Sequence, residues 1–139
     1  MPRPTDLPTP TPRSSSDDQV FWDGLAEDRL LLPRCTSCGS VFWHPRPFCP
    51  ECSCTRIDWF AATGNGTIYS YSVTHKAPGN WGAHAPYVIA YVELDEGPRV
   101  MSNIVDADLD MLEVGLEVQA VFHAGADGGA VLRFTPSPG

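Results

Sequence analysis

Two pairs of cysteines constrain this chain more than any other feature of its sequence. Cys35 and Cys38 form one CxxC motif, and Cys49 and Cys52 form a second. A two-residue spacer lets both thiolates of a tight turn face one ion, and two such turns complete the tetrahedron that zinc requires. The pattern therefore predicts a structural Zn2+ site with four thiolate ligands. Iron in the same site, or no metal at all, are the alternatives that the spacing leaves open.

The segment between the two pairs contains SVFWHPRPF, which we interpret as a short strand and a loop. With the cysteines it predicts a rubredoxin-like ribbon of about 20 residues, which is too small to be stable without its metal. His44 is either a hydrogen-bond donor close to the ligands or a surface residue. Cys54 is interpreted as a small apolar residue outside the ligand set. Ser53 stands where glycine often relieves such a turn, and a positive φ there costs about 1 kcal/mol.

Charge and hydropathy argue against other classes of function. Seventeen Asp and Glu against nine Lys and Arg give a formal charge of -8, and Lys76 is the single lysine. So acidic a chain argues against nucleic-acid binding, which draws on a basic groove. No segment approaches the roughly 20 consecutive apolar residues of a membrane helix, and the N-terminus has no apolar core of a secretory signal. We therefore expect a cytoplasmic protein that binds neither membrane nor nucleic acid.

Composition divides the chain into three segments. Residues 1–16 are rich in proline and predict a disordered arm, residues 17–56 hold a short helix and the ribbon, and residues 57–139 form a barrel domain. The helix is indicated by Ser16 and Gln19, which match a capping box. The acidic residues that follow Ser16 suit the positive end of a helix dipole.

After the second cysteine pair, apolar residues follow the period of two that is typical of strands. This alternation is visible in GTIYSYSVTH. The run PYVIAYVEL is apolar on both faces, which predicts a strand that is either buried on both sides or curled inside a barrel. Further strands are predicted at residues 99–105, 116–123 and 130–134. Five or so strands in about 75 residues predict a small closed barrel.

Two groups of residues are candidates for binding. An aromatic cluster either packs on its own ribbon or anchors a partner, because aromatic residues dominate interface hot spots; it comprises Phe21, Trp22, Leu25 and Trp43. A loop between two predicted barrel strands suits contact with a phosphorylated or aromatic ligand, although it is equally an ordinary surface loop with its tryptophan tucked onto the barrel. It carries His75, Lys76, Asn80, Trp81 and His84.

Several segments together resemble a family of acyl-CoA-associated OB-fold proteins with a rubredoxin-like zinc ribbon, known as domain of unknown function thirty-five. The matching segments are FWDGLAEDRLLLPRC, CTSCGSVFWHPRPFCPEC, GNGTIYSYSVTHKAPG, APYVIAYVELDEGPRVMSNIV and the closing LRFTP, so the resemblance covers about residues 19–135. Ser53 and Cys54 depart from it, because such proteins often have glycine there. The resemblance implies a mainly β fold: a short N-terminal helix and the zinc ribbon, followed by a five-stranded OB-fold barrel.

The resemblance also implies a function. Proteins of this family accompany thiolase-superfamily enzymes, so it implies a noncatalytic accessory subunit of a hetero-oligomer that acts on acyl-CoA thioesters. The expected partner is a lipid-transfer-protein-type aldolase that cleaves a steroid side chain by a retro-aldol reaction, or an acyltransferase, and an acyl-CoA hydratase is a further expected partner. The sequence holds no GxSxG, GxxxxGK[ST] or GxGxxG motif, and motif spacing gives no residue a catalytic role.

A different class of function remains as the alternative. OB folds and zinc ribbons both occur in proteins that bind single-stranded nucleic acid, and stacking aromatic residues are present here. The acidic charge argues against this alternative, because binding would lack most of its electrostatic attraction.

Overall fold

A helix, a two-stranded sheet and a five-stranded barrel follow one another along the chain. The computed structural model describes residues 1–138. The helix is α1, and the strands are β1 to β7; their bounds are Gln19–Ala26 for α1, Leu31–Cys35 for β1, Ile57–Ala61 for β2, Asn65–Thr74 for β3, Tyr87–Leu94 for β4, Arg99–Ile104 for β5, Glu117–Ala124 for β6 and Ala130–Pro136 for β7. Among the described residues, no helix is long and apolar enough to cross a membrane.

The helix forms where the sequence predicts it, but not with the predicted cap. Asp18, rather than Ser16, is the N-cap residue. The Asp18 carboxylate accepts a hydrogen bond from the Ser15 backbone N–H at 2.6 Å, and Gln19 reaches along the helix to Asp23. The capping-box prediction is therefore wrong, because Ser16 is not the N-cap residue and the Gln19 side chain bonds to Asp23 instead. The spacing of Phe21 and Leu25 does place both on the buried face.

The ribbon is built on the pairing of β1 with β2. These two strands run antiparallel, from Leu31 opposite Ala61 to Cys35 opposite Ile57. The sequence did not indicate β2, because its side chains are half-buried and show no alternation. The strand predicted between the cysteine pairs is reduced to one bridge, which joins Arg34 to Val41. The segment between the cysteine pairs is therefore held by the two cysteine turns rather than by strand pairing.

The barrel closes in the strand order β3-β4-β5-β7-β6. Its pairs are antiparallel except β5 with β7, which run parallel and meet at Ile104 and Phe134. Gly66 lies where β3 approaches β4, and a Cβ atom there would stand 2.6 Å from the Glu93 carbonyl oxygen. The register then shifts between Ile68 and Ser70, which marks a β-bulge at the exposed Tyr69. The predicted mainly β fold with a five-stranded barrel is confirmed.

The sequence left two possible environments for β4, and the structure decides between them. Inward-facing residues of β4 are buried, whereas Ile89 and Tyr91 on the same strand are exposed. The strand is therefore curled inside a barrel and not buried on both sides. The core unites the barrel with α1 and the start of the ribbon; its largest fully buried residues include Phe134, Leu25, Leu32, Ile68, Val88, Val92 and Val118.

The proline-rich arm follows the outside of β6. The Arg3 N–H donates to the Phe122 carbonyl at 2.8 Å, and the Ala124 N–H donates to the Arg3 carbonyl at 2.9 Å. The pairing of β6 with β3 ends at Gln119. The two bonds to Arg3 therefore satisfy backbone groups in the later part of β6, which β3 does not reach. The predicted disorder of residues 1–16 and the predicted segment boundaries stay predictions.

Candidate functional site

The four cysteines of the two CxxC motifs meet at one point. Their Sγ atoms all lie within 4.8 Å of one another. The Sγ atoms of Cys35 and Cys52 are 3.5 Å apart, and those of Cys38 and Cys49 are 3.6 Å apart. A tetrahedral zinc with bonds of about 2.3 Å requires sulfurs separated by about 3.8 Å. The donor set and its spacing therefore fit a zinc ion that is fully enclosed by protein ligands.

The two turns repeat one hydrogen-bond pattern. The Ser37 N–H donates to the Cys35 sulfur, and the Glu51 N–H donates to the Cys49 sulfur, each at 3.3 Å. The fourth residue of each turn is followed by a left-handed residue, which is Gly39 with φ +77° in the first and Ser53 with φ +64° in the second. Ser53 therefore does have the positive φ for which the sequence predicts a cost. A glycine adopts this conformation freely, whereas serine is strained in it.

Two of the thiols, Cys35 and Cys52, have pKa values that are shifted in opposite directions. Backbone N–H groups, above all that of Cys38, lower the pKa of Cys35 to about 6. The Cys54 N–H lowers the pKa of Cys52, but the adjoining Cys35 sulfur and burial outweigh it and raise that pKa to about 12. Four close thiolates repel one another, so one divalent cation is what allows all four to ionise. The site is structural, because four thiolates leave no coordination position for a substrate.

Two residues near the cysteines lie outside the ligand set. The Cys54 sulfur accepts the Arg56 N–H at 3.4 Å and is not part of the cluster. His44 is largely exposed, and its Nε2 lies 3.7 Å from the buried Asp18 carboxylate rather than against a sulfur. His44 is therefore a surface residue in this structure, as one of the two interpretations expected.

The aromatic cluster near the N-terminus faces its own chain. Phe21 is 4% exposed and Leu25 is 0% exposed. The Phe21 ring lies 4.6 Å from the Trp43 ring and 4.9 Å from the Trp22 ring, measured between centroids. Trp22 and Trp43 are partly buried and pack against the same core. The arrangement joins helix to ribbon, which matches the first of the two interpretations; a contact of these residues with a partner stays a prediction.

Two residues of the predicted ligand loop line two different cavities. A 3₁₀ helix at Gly79–His84, which the sequence did not indicate, turns His84 toward a cavity of about 540 Å³ and Trp81 toward a groove of about 360 Å³. The remaining three candidates, which are His75, Lys76 and Asn80, are exposed and line neither space. The Trp81 ring packs 4.9 Å from that of Tyr87.

Sequence reasoning missed a buried pair of side chains, Arg133 and His123, at the barrel end. Arg133 is 3% exposed, and its Nη1 donates to Nδ1 of the buried His123 at 3.0 Å. Its Nη2 donates to the Pro8 carbonyl, in the proline-rich arm, at 2.6 Å. Burial, followed by the charge of Arg133, lowers the pKa of His123 to about 4. No local pattern in the sequence indicates that these two side chains turn inward.

Fold and metal centre together define a zinc-ribbon protein with an OB-type barrel. Two family models match the sequence in the same order: the ChsH2 rubredoxin-like zinc ribbon domain at residues 22–54, and the ChsH2 C-terminal OB-fold domain at residues 59–123. The chain belongs to the DUF35 family of zinc-ribbon and OB-fold proteins.

Curated relatives support this assignment over most of the chain. A DUF35 domain-containing scaffold protein of Methanocaldococcus jannaschii is 40% identical over 104 residues, which are 73% of this chain and 74% of that protein. The 3-oxo-4,17-pregnadiene-20-carboxyl-CoA hydratase alpha subunit of Mycobacterium tuberculosis is 35% identical over 80% of this chain. That match covers only 35% of the larger mycobacterial subunit.

Solved structures give the same result. A chain of the Ltp2-ChsH2(DUF35) aldolase superposes with a TM-score of 0.83 at 32% identity, and the match covers 91% of this chain and 98% of that chain. A DUF35 protein of unknown function from Sulfolobus solfataricus has a TM-score of 0.65 at 16% identity, which shows the shared fold alone.

Proposed function

We propose that this chain is a noncatalytic accessory subunit that binds and stabilises a thiolase-superfamily enzyme acting on acyl-CoA thioesters. The observation that carries the proposal is the match to a chain of the Ltp2-ChsH2(DUF35) aldolase, because it spans nearly the whole of both chains. The benzoylsuccinyl-CoA thiolase subunit BbsA of Geobacter metallireducens, 28% identical over 62% of this chain, also bears a name from thiolase chemistry.

The metal centre supports a scaffolding role rather than a catalytic one. Four thiolates close the coordination sphere, so the zinc fixes the two turns and supplies no site for a substrate oxygen. The chemistry then belongs to the partner. The zinc ribbon and barrel contribute the surface on which the partner binds.

The finer proposal concerns the substrate. We place the complex in the breakdown of steroid side chains, where the partner cleaves a carbon–carbon bond of a hydroxyacyl-CoA by a retro-aldol reaction in the cytoplasm. The mycobacterial relative supports this choice, because its name specifies a steroid-derived acyl-CoA. The same relative supports an acyl-CoA hydratase as a second partner.

Co-expression tests the proposal. The thiolase-superfamily subunit that co-purifies with this chain from its native lysate is produced alone, with this chain, and with an unrelated zinc-ribbon protein as the control. We expect soluble, active enzyme only when this chain is present, with activity measured as release of a shorter acyl-CoA from a panel of hydroxyacyl-CoA thioesters. Full solubility and activity of the enzyme alone would refute the accessory role.

A further inference from the structure

The outer surface of β4 and β5 carries large apolar side chains that nothing in the chain covers among residues 1–138. Tyr91 lies opposite Met101 across the two strands, and these side chains are 46% and 65% exposed. Ile89 is exposed two residues earlier on β4. Beside them, the Arg99 guanidinium lies 3.8 Å over the ring of the exposed Tyr69. We call this surface the barrel face; it comprises Tyr69, Ile89, Tyr91, Arg99 and Met101.

A groove extends the barrel face toward the 3₁₀ helix. It has a volume of about 360 Å³, and its apolar walls include Ala77, Pro78, Trp81, Tyr87, Ile89 and Met101. Ile89 and Met101 belong to both the face and the groove, so the two form one continuous surface. Isolated exposed apolar residues need no explanation, whereas a contiguous apolar surface marks an interaction site.

The charge of this region differs from that of the rest of the molecule. All seventeen acidic residues lie outside residues 59–92, a stretch that includes β3, the 3₁₀ helix and most of β4, together with Lys76. The first carboxylate after it, Glu93, is paired with Arg99 at 2.9 Å. The barrel face therefore contains no carboxylate, on a chain of formal charge -8.

We propose that the barrel face is the docking surface for the thiolase-type partner, whose matching surface is apolar at its centre and carries a carboxylate opposite Arg99. This inference rests on the proposed function. Interface centres are enriched in Tyr, Trp, Met and Arg and depleted of acidic residues, which is the composition found here. A second copy of the chain fits less well, because it would oppose like charges and bring two acidic molecules together.

Two methionines of similar exposure, one inside the barrel face and one outside it, provide the test. Met101 and Met111 are exposed to similar extents, 65% and 70%, but Met111 lies in the second 3₁₀ helix, Leu109–Met111, outside the barrel face. Met101→Glu places a carboxylate at the centre of the face, Tyr91→Glu places one beside it, and Met111→Glu is the matched control. The full-length tagged variants are each co-expressed with the thiolase-superfamily subunit that co-purifies with the wild-type chain. Each variant is then purified by its tag, and the amount of partner recovered per mole of variant is measured.

We expect Met101→Glu and Tyr91→Glu to reduce partner recovery at least about tenfold, as at interface hot spots, and Met111→Glu to leave it unchanged. Zinc content and thermal melting of each variant verify the fold. Equal recovery by all variants would overturn the docking surface while the proposed function stands. A wild-type chain that recovers no thiolase-superfamily protein would overturn both. A wild-type dimer that Met101→Glu dissociates would assign the face to a second copy and overturn the proposal.

Discussion

The ribbon and the barrel hold their shapes by different means. The barrel, α1 and β1 share a continuous apolar core, whereas the rest of the ribbon depends on two turns that converge on four sulfurs. Buried apolar area stabilises the barrel in proportion to its size. The ribbon has too little of it and requires a metal. The comparison teaches that one small chain can combine a metal-dependent half with a self-sufficient half.

Loss of the metal has the largest expected effect on this comparison. In Cys49→Ser/Cys52→Ser, the ribbon should lose metal-linked folding free energy on the order of 10 kcal/mol, while the barrel keeps its core. Amide NMR spectra check this: ribbon resonances should collapse to random-coil positions and barrel resonances should stay dispersed. Cys54→Ser, outside the cluster, is the control and should retain one zinc per chain. A dispersed ribbon spectrum without metal would contradict the account.

Two phenylalanines, one in the barrel and one in the ribbon, test whether the apolar core stabilises the barrel. Phe134 is 0% exposed in the barrel, and Phe48 is 45% exposed in the ribbon. Phe134→Ala should lower the free energy of unfolding by about 3 to 5 kcal/mol, because it removes buried apolar area and leaves a cavity. Phe48→Ala should cost less than about 1 kcal/mol. Urea denaturation followed through the barrel measures both values, and equal losses would mean that the barrel core is not the main source of stability.

The buried pair at the barrel end predicts a pH dependence. Because the pKa of His123 is lowered to about 4 in the folded chain, the unfolded chain binds the extra proton first as the pH falls below about 6.5. Its contribution to stability is therefore complete above pH 6.5 and is lost as the pH falls toward 4. Replacing His123 with Gln, which keeps an acceptor for Arg133, should flatten this dependence.

Denaturation midpoints between pH 4 and 7, read from barrel resonances, measure the effect of His123. We expect a wild-type loss of about 3 kcal/mol over this range from this one group. His75→Gln, at an exposed position, should leave the profile unchanged. A profile of His123→Gln that follows the wild type would show that His123 titrates normally.

The two cysteine turns offer the smallest and most symmetrical test. Gly39 and Ser53 occupy equivalent positions with φ of +77° and +64°. Ser53→Gly should relieve strain and strengthen zinc binding by about 1 kcal/mol, or about fivefold, and Gly39→Ser should weaken it by a similar factor. Competition with a chelator measures both. Equal affinities would indicate that the backbone conformation at these positions does not limit metal binding.

Patterns with a single physical cause could be predicted from the sequence. The CxxC spacing located the metal centre, and alternation located the barrel strands within one or two residues of their bounds. The helix cap and β2 were missed, because Asp18 and the half-buried IDWFA have no local signal that outweighs competing partners. The inward turn of Arg133 and the exposure of Ile89 and Tyr91 depend on barrel closure, which brings together residues far apart in sequence.

The most direct test of the accessory role is the composition of the native complex. The full-length tagged chain is purified from its native lysate, and the eluate is examined by native mass spectrometry and ultraviolet absorbance. The account predicts a complex with a thiolase-superfamily subunit in fixed stoichiometry and an absorbance spectrum of protein alone. A chain that elutes by itself, or with nucleic acid and no enzyme, would contradict it.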